Sequence, residues 1–187
     1  LEGLYAEDMI KQTSIEPCEP TIDAVILSHP HMDHVGYVQF IHPDIPVYCG
    51  ECTKTVMGAM QDSGRIDFGE HYFGKRKSEK CEPKEREERN VKTFTTKRKP
   101  PKIGSLEIEP VHVDHSVPGA YGFIIHTSKG SVVYSGDYRR HGPMKSMTEG
   151  FMEKAERCDP VVMISEGTRI SPKEETEIHS EDTVKSK

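Results

Sequence analysis

The chain has 187 residues, with 25 basic and 31 acidic side chains for a net charge of −6, and 34% of its residues are hydrophobic. That length supports one domain with a real core and leaves much of the chain as solvated surface or loop. No apolar run approaches a membrane span, the mild negative charge neither requires nor excludes a nucleic-acid partner, and five cysteines, an odd number, do not make a disulfide framework. The first ten residues carry Glu2, Glu7 and Asp8 and lack the basic start and continuous apolar middle of a signal peptide. The expected compartment is therefore cytoplasmic, with reduced thiols.

Leu1, Leu4, Tyr5 and Met9 predict a short amphipathic helix over residues 1–12, and the prolines of 13–20 a connector. Ala24-Val25-Ile26-Leu27 reads as a buried strand. Directly after it comes Ser28-His29-Pro30-His31-Met32-Asp33-His34, four possible metal ligands within six positions. A strand that stops and presents imidazoles and a carboxylate from its turn makes a rigid metal cradle. Alternating His29 and His31 can face one ion, and Asp33 and His34 a second. This mix of nitrogen and oxygen suits zinc best, with manganese or iron as alternatives. Surface histidines in a polar turn are the plain alternative, and the density of ligands weighs against it.

A short helix is expected over 36–41, a loop over 42–46 and a short strand at Val47-Tyr48. Thr53 is expected to cap a helix reaching about Gln61, with Val56, Met57 and Met60 as its buried face. Cys49-Gly50-Glu51-Cys52 has the spacing of half a zinc knuckle or a redox pair. Cys81 is the only nearby further candidate ligand, so inert reduced thiols are the favoured reading. Residues 61–90 turn charged and lose periodicity, as a solvated loop or helix does. Lys92, Lys97, Arg98, Lys99 and Lys102 around Phe94 could grip a polyanion, and a solvated edge strand explains them equally well.

From Leu106 the pattern is β. Strands are expected through Val113, over 121–126 and over 131–134, the last two joined by a hairpin turn at Ser128-Lys129-Gly130. Gly150 to Arg157 suggests a helix. The wholly apolar Val161–Ile164 suggests a central strand, and the polar residues beyond Ser171 have no core face. Asp114-His115-Ser116 and Ser135-Gly136-Asp137 close two of these strands, where function concentrates in sheet proteins. His115 can supply a third imidazole to the first ion, and Asp137 can bridge two cations. Each triplet is weak alone. Together with the first cluster they complete a two-metal site.

The pattern His-x-His-x-Asp-His, a strand-end His and a strand-end Asp in Ser-Gly-Asp resembles the metallo-β-lactamase superfamily over roughly Thr21 to Arg169. The resemblance implies an α/β, αβ/βα sandwich fold. It implies that His29, His31 and His115 hold one metal, Asp33 and His34 the other, and that Asp137 bridges them. Val113 to Gly122 and Tyr134-Ser135-Gly136-Asp137-Tyr138 are similar to ribonuclease J and its β-CASP relatives. Ile164-Ser165-Glu166-Gly167-Thr168 resembles the acidic first motif of that branch, so Glu166 is expected to support the metal site from behind the ligands.

That family begins with strands ending in an Asp-x-Gly segment and carries two later histidines, and neither feature is matched here. The expectation is a core fragment over 1–170, with 171–187 as the start of an insertion or a tail, and with the general acid supplied from elsewhere. The implied function is hydrolysis of RNA phosphodiester bonds, with DNA less favoured, using two divalent ions, zinc first and manganese second. Asp33 and Asp137 would act at the reacting centre, and Ser116 would contact a phosphate oxygen. No membrane partner is expected, and the full-length protein is expected to be a homo-oligomer. The alternatives are a non-catalytic RNA-binding or complex-forming subunit of the same fold, or a generic ester or thioester hydrolase. Retention of every ligand that a chain of this length can carry favours the enzyme over the first, and Glu166 with the His115-Ser116 context weighs against the second.

Overall fold

The computed structural model describes residues 22–41, 45–63, 89–97, 102–167 and 181. The helix expected over 1–12, the connector after it, most of the charged 61–90 stretch, Cys18, Cys81, Arg98, Lys99, the tail beyond Ser171 apart from Glu181, and the 170/171 boundary lie outside these residues. The chain falls into two compact units, Leu1–Phe94 and Thr95–Lys187.

The first unit carries a parallel three-stranded sheet in the order β1 (Val25–Ile26), β2 (Val47–Gly50), β3 (Val91–Phe94). Parallel neighbours need a crossover rather than a hairpin. The first crossover opens with the His-rich turn, then α1 (Met32–Val35) and a 3-10 helix over Gly36–Phe40. The second contains α2 (Glu51–Asp62). Leu27, Val35, Val38, Ile41, Ile45, Val47, Cys49 and Met57 form one buried cluster, so the turn after β1 is anchored on both sides by core residues. Helix α2 starts earlier than expected. Gly50 occupies the cap position, and Thr53, expected there, is buried in the first turn. The strand–helix junction leaves no room for an extra turn of loop.

The second unit is a five-stranded sheet. Its order is β4 (Lys102–Ile103), β5 (Leu106–His112), β6 (Tyr121–Thr127), β7 (Gly130–Tyr134), β8 (Val162–Ile164). All neighbours are antiparallel except β7 and β8, which the helix α3 (Lys145–Arg157) connects in parallel. Alternating Ile108 and Pro110 are buried, as the pattern of β5 predicted. Phe151, 1% exposed, packs α3 onto the sheet over Gly122, where a Cβ would lie 2.5 Å from its ring. Helix α3 begins five residues before the expected start. The expected central strand is instead, among the described residues, the last in the order, with Val162, Met163 and Ile164 about half exposed. Apolar composition marks a strand, but only pairing decides its place in a sheet.

Strand direction explains where the second unit places its polar residues. β5 and β7 both run antiparallel to β6, so they run the same way, and β8 follows β7. The segments after β5, β7 and β8 therefore leave one edge of the sheet together.

Candidate metal centre

His29 follows β1 and is fully buried. Its Nδ1 lies 3.0 Å from the hydroxyl of buried Ser28, and its Nε2 lies 3.1 Å from Nδ1 of His31. If Nδ1–H donates to Ser28 Oγ, the lone pair sits on Nε2, pointing at His31. Two nitrogens bound to one tetrahedral zinc at ~2.0–2.1 Å stand about 3.3 Å apart. The observed separation is close to that value, and the donor chemistry fits a divalent cation. The ring of His34 lies 4.1 Å from that of His29, and His34 Nε2 is 3.5 Å from Asp33 Oδ2. Asp33 is 77% exposed, on the first turn of α1. The turn thus forms a His/Asp cluster that could hold a metal, with His29 and His31 as its inner pair and Asp33 on the solvent side.

In the second unit, His115 and Asp137 leave the shared edge after β5 and β7, and His115 Nε2 is 3.8 Å from Asp137 Oδ2. Gly136 has φ of 57°, a left-handed conformation that a side chain disfavours and that turns the chain just before Asp137. Ser116 is exposed. Glu166, after β8, accepts a long hydrogen bond of 3.5 Å from the Tyr138 N–H, and its own N–H donates to the buried Ser135 hydroxyl at 3.2 Å. It thus bonds the Ser135 hydroxyl on one side of the Gly136-Asp137 pair and the Tyr138 backbone on the other.

Sequence reasoning missed the groups behind His115 and Asp137. Asp114, 3% exposed, accepts from Arg139 Nε on Oδ1 and from the Met144 N–H on Oδ2, each at 3.1 Å. Thr148 accepts the Asp114 N–H and donates to the Arg139 carbonyl. The sequence holds only one hint, a carboxylate beside His115 and an arginine two residues after Asp137.

Other candidates fall away. Phe94 is buried, and Lys92 lies over the Tyr48 ring at 5.4 Å, so this part of the basic run offers no exposed aromatic. Burial pushes the Cys49 thiol up to about 11, the opposite of a reactive thiol, and Cys52 is exposed. His112 stacks on Tyr121 and His126 bonds Ser131, ordinary structural partners for both.

A family model described as a beta-lactamase superfamily domain matches residues 6–185. The chain belongs to the metallo-β-lactamase superfamily. Its α/β fold class is the one the motifs implied. A crystal structure of a protein of unknown function from Enterococcus faecalis V583 matches with a TM-score of 0.66 at 26% identity, over 91% of this chain and 38% of that one. Among curated relatives, the chain is 30% identical to "Ribonuclease J" of Pyrococcus abyssi (strain GE5 / Orsay), over 98% of this chain and 39% of the relative. It is 30% identical to "Ribonuclease J" of Mycolicibacterium smegmatis over 63% of this chain and 18% of the relative. It is 23% identical to "Ribonuclease J" of Helicobacter pylori (strain ATCC 700392 / 26695) over 87% and 22%. The chain thus spans well under half the length of these metallo-β-lactamase-fold relatives. Among the described residues, no helix is long and apolar enough to cross a membrane.

Proposed function

We propose that this chain carries the metal-binding core of a ribonuclease J-like enzyme of the β-CASP branch, which hydrolyses RNA phosphodiester bonds. The observation that carries the proposal is the His29–His31 pair, with nitrogens 3.1 Å apart in a turn fixed by core residues. The superfamily match and the names of the relatives supply the substrate class.

In this proposal His29, His31 and His115 would hold one divalent ion, zinc first and manganese second, Asp33 and His34 would hold another, and Asp137 would serve both. When bound, divalent ions supply water activation near neutral pH and neutralise charge on the phosphoryl group. Ser28 keeps the His29 lone pair on Nε2. Exposed Asp33 faces the side from which substrate arrives and can accept a hydrogen bond from the attacking water. Ser116 donates a hydrogen bond to a phosphate oxygen. Glu166 holds the backbone beside Asp137. The whole protein is proposed to be a cytoplasmic homo-oligomer.

The test is metal analysis joined to cleavage of end-labelled RNA by the full-length protein. Bound zinc or manganese with cleavage that a chelator abolishes and added metal restores is the expected result. Cleavage unaffected by chelation, or metal-loaded protein inert toward RNA but active on an ester or thioester, overturns it.

A further inference from the structure

Asp114 and Arg139 take no part in the proposed chemistry, yet both are densely hydrogen-bonded. Asp114 immediately precedes His115. Arg139 follows Asp137 by two residues. Five hydrogen bonds tie their two segments to each other and to the start of α3. Arg139 N–H donates to the Asp114 carbonyl at 2.8 Å, and Arg139 Nε to Asp114 Oδ1 at 3.1 Å. The Met144 N–H donates to Asp114 Oδ2 at 3.1 Å. The Asp114 N–H donates to Thr148 Oγ1 at 2.9 Å, and that hydroxyl donates to the Arg139 carbonyl at 3.0 Å. Arg139 Nη1 makes a further ion pair with Glu181.

Three features make this a built device rather than a chance contact. The carboxylate is buried and both its oxygens are used, so its partners cannot be exchanged for water. Thr148 is fully buried and spends its single hydroxyl on both segments at once. Gly142 is buried against the pair, where any Cβ would overlap Asp114 Oδ2 and Arg139 Nε, so the loop closes only around glycine.

We infer that Asp114, Arg139 and Thr148 form a positioning clamp that holds His115 and Asp137 at their mutual distance and so sets metal affinity. This rests on the proposal that His115 and Asp137 are ligands. A ligand pair held in place before binding loses less freedom when the ion arrives. Groups behind metal ligands typically change affinity roughly 10–100-fold when removed.

The experiment titrates the purified protein with Co2+, reading its visible absorption bands, alongside a thermal melt of the metal-free protein. Thr148→Val keeps the shape and removes both hydroxyl bonds, and Thr148→Ser restores the hydroxyl. Thr148→Val is expected to weaken Co2+ binding by roughly 10–100-fold and to alter the bands, with Thr148→Ser near wild type. Asp114→Asn, which sets an amide donor against either Arg139 Nε or the Met144 N–H, is expected to behave like Thr148→Val. Wild-type affinity and bands in folded Thr148→Val or Asp114→Asn overturn the clamp. So does a loss of affinity that simply follows the loss of melting temperature across all three variants. A wild-type protein that binds no Co2+ overturns instead the ligand proposal beneath it.

Discussion

Ser28 Oγ and His29 Nδ1 lie 3.0 Å apart, both buried, at the point where β1 gives way to the metal turn. Only one tautomer of His29 lets the ring donate to that hydroxyl and keep a lone pair on Nε2. Ser28→Ala is expected to leave the fold intact and to weaken zinc binding roughly 10–100-fold, because the ring loses the hydroxyl that can accept its Nδ1–H and orient it. A competition titration with a zinc indicator measures this. Wild-type affinity in Ser28→Ala removes Ser28 from the site.

Asp137 is proposed to serve both ions. Asp137→Ala in the full-length protein is expected to abolish RNA hydrolysis while leaving RNA binding largely intact, because basic contacts to the phosphate backbone lie elsewhere. Cleavage assays and gel shifts on the same labelled RNA separate the two effects. Wild-type turnover in the variant would exclude Asp137 from the mechanism.

Phe151 of α3 packs directly against Gly122 of its sheet. Gly122→Ala forces a methyl group into the ring, and overpacking of this kind costs about 1–3 kcal/mol. Phe151→Ala leaves a cavity and costs about 3–5 kcal/mol, a large share of a typical domain's stability. Urea denaturation should show both midpoints lowered, Phe151→Ala the more. A Gly122→Ala midpoint equal to wild type contradicts the packing described.

Cys49 sets a pH dependence. Burial raises its thiol from the ordinary 9.0 to about 11, with Lys54 opposing. Below pH 9 folded and unfolded chains both keep the proton, so the contribution is fully present. As pH rises from 9 to 11 the unfolded thiol ionises first, and stability falls, by roughly 2–3 kcal/mol in all. Urea melts at pH 8 and pH 11 measure the fall, and Cys49→Ala should reduce it by that amount. Iodoacetamide near pH 8 should modify exposed Cys52 and spare Cys49 in the folded protein. Equal labelling of both would contradict the burial.

The His29–His34 cluster was legible from sequence because ligand spacing and a preceding apolar strand are both local. The strand-end positions of His115 and Asp137 were legible for the same reason, and so was the fold class the motifs implied. Their closeness was expected only as part of the joint two-metal reading, not from any local signal. It depends on β5 and β7 flanking β6, and strand order is set by pairing between distant segments. Helix α3 was read as spanning Gly150 to Arg157, and it starts at Lys145. Thr148 lies before Gly150, and it faces inward to bond Asp114 and Arg139, so a polar residue carries the buried face. Val162–Ile164 was recognisable as a strand from its side chains, while its place at the end of the described order came from pairing with β7 alone. Asp114 and Arg139 lie 25 residues apart. Each is an ordinary surface residue type, and neither carries a local signal. Only tertiary structure removes them from water together, and a buried charge must then find its partner.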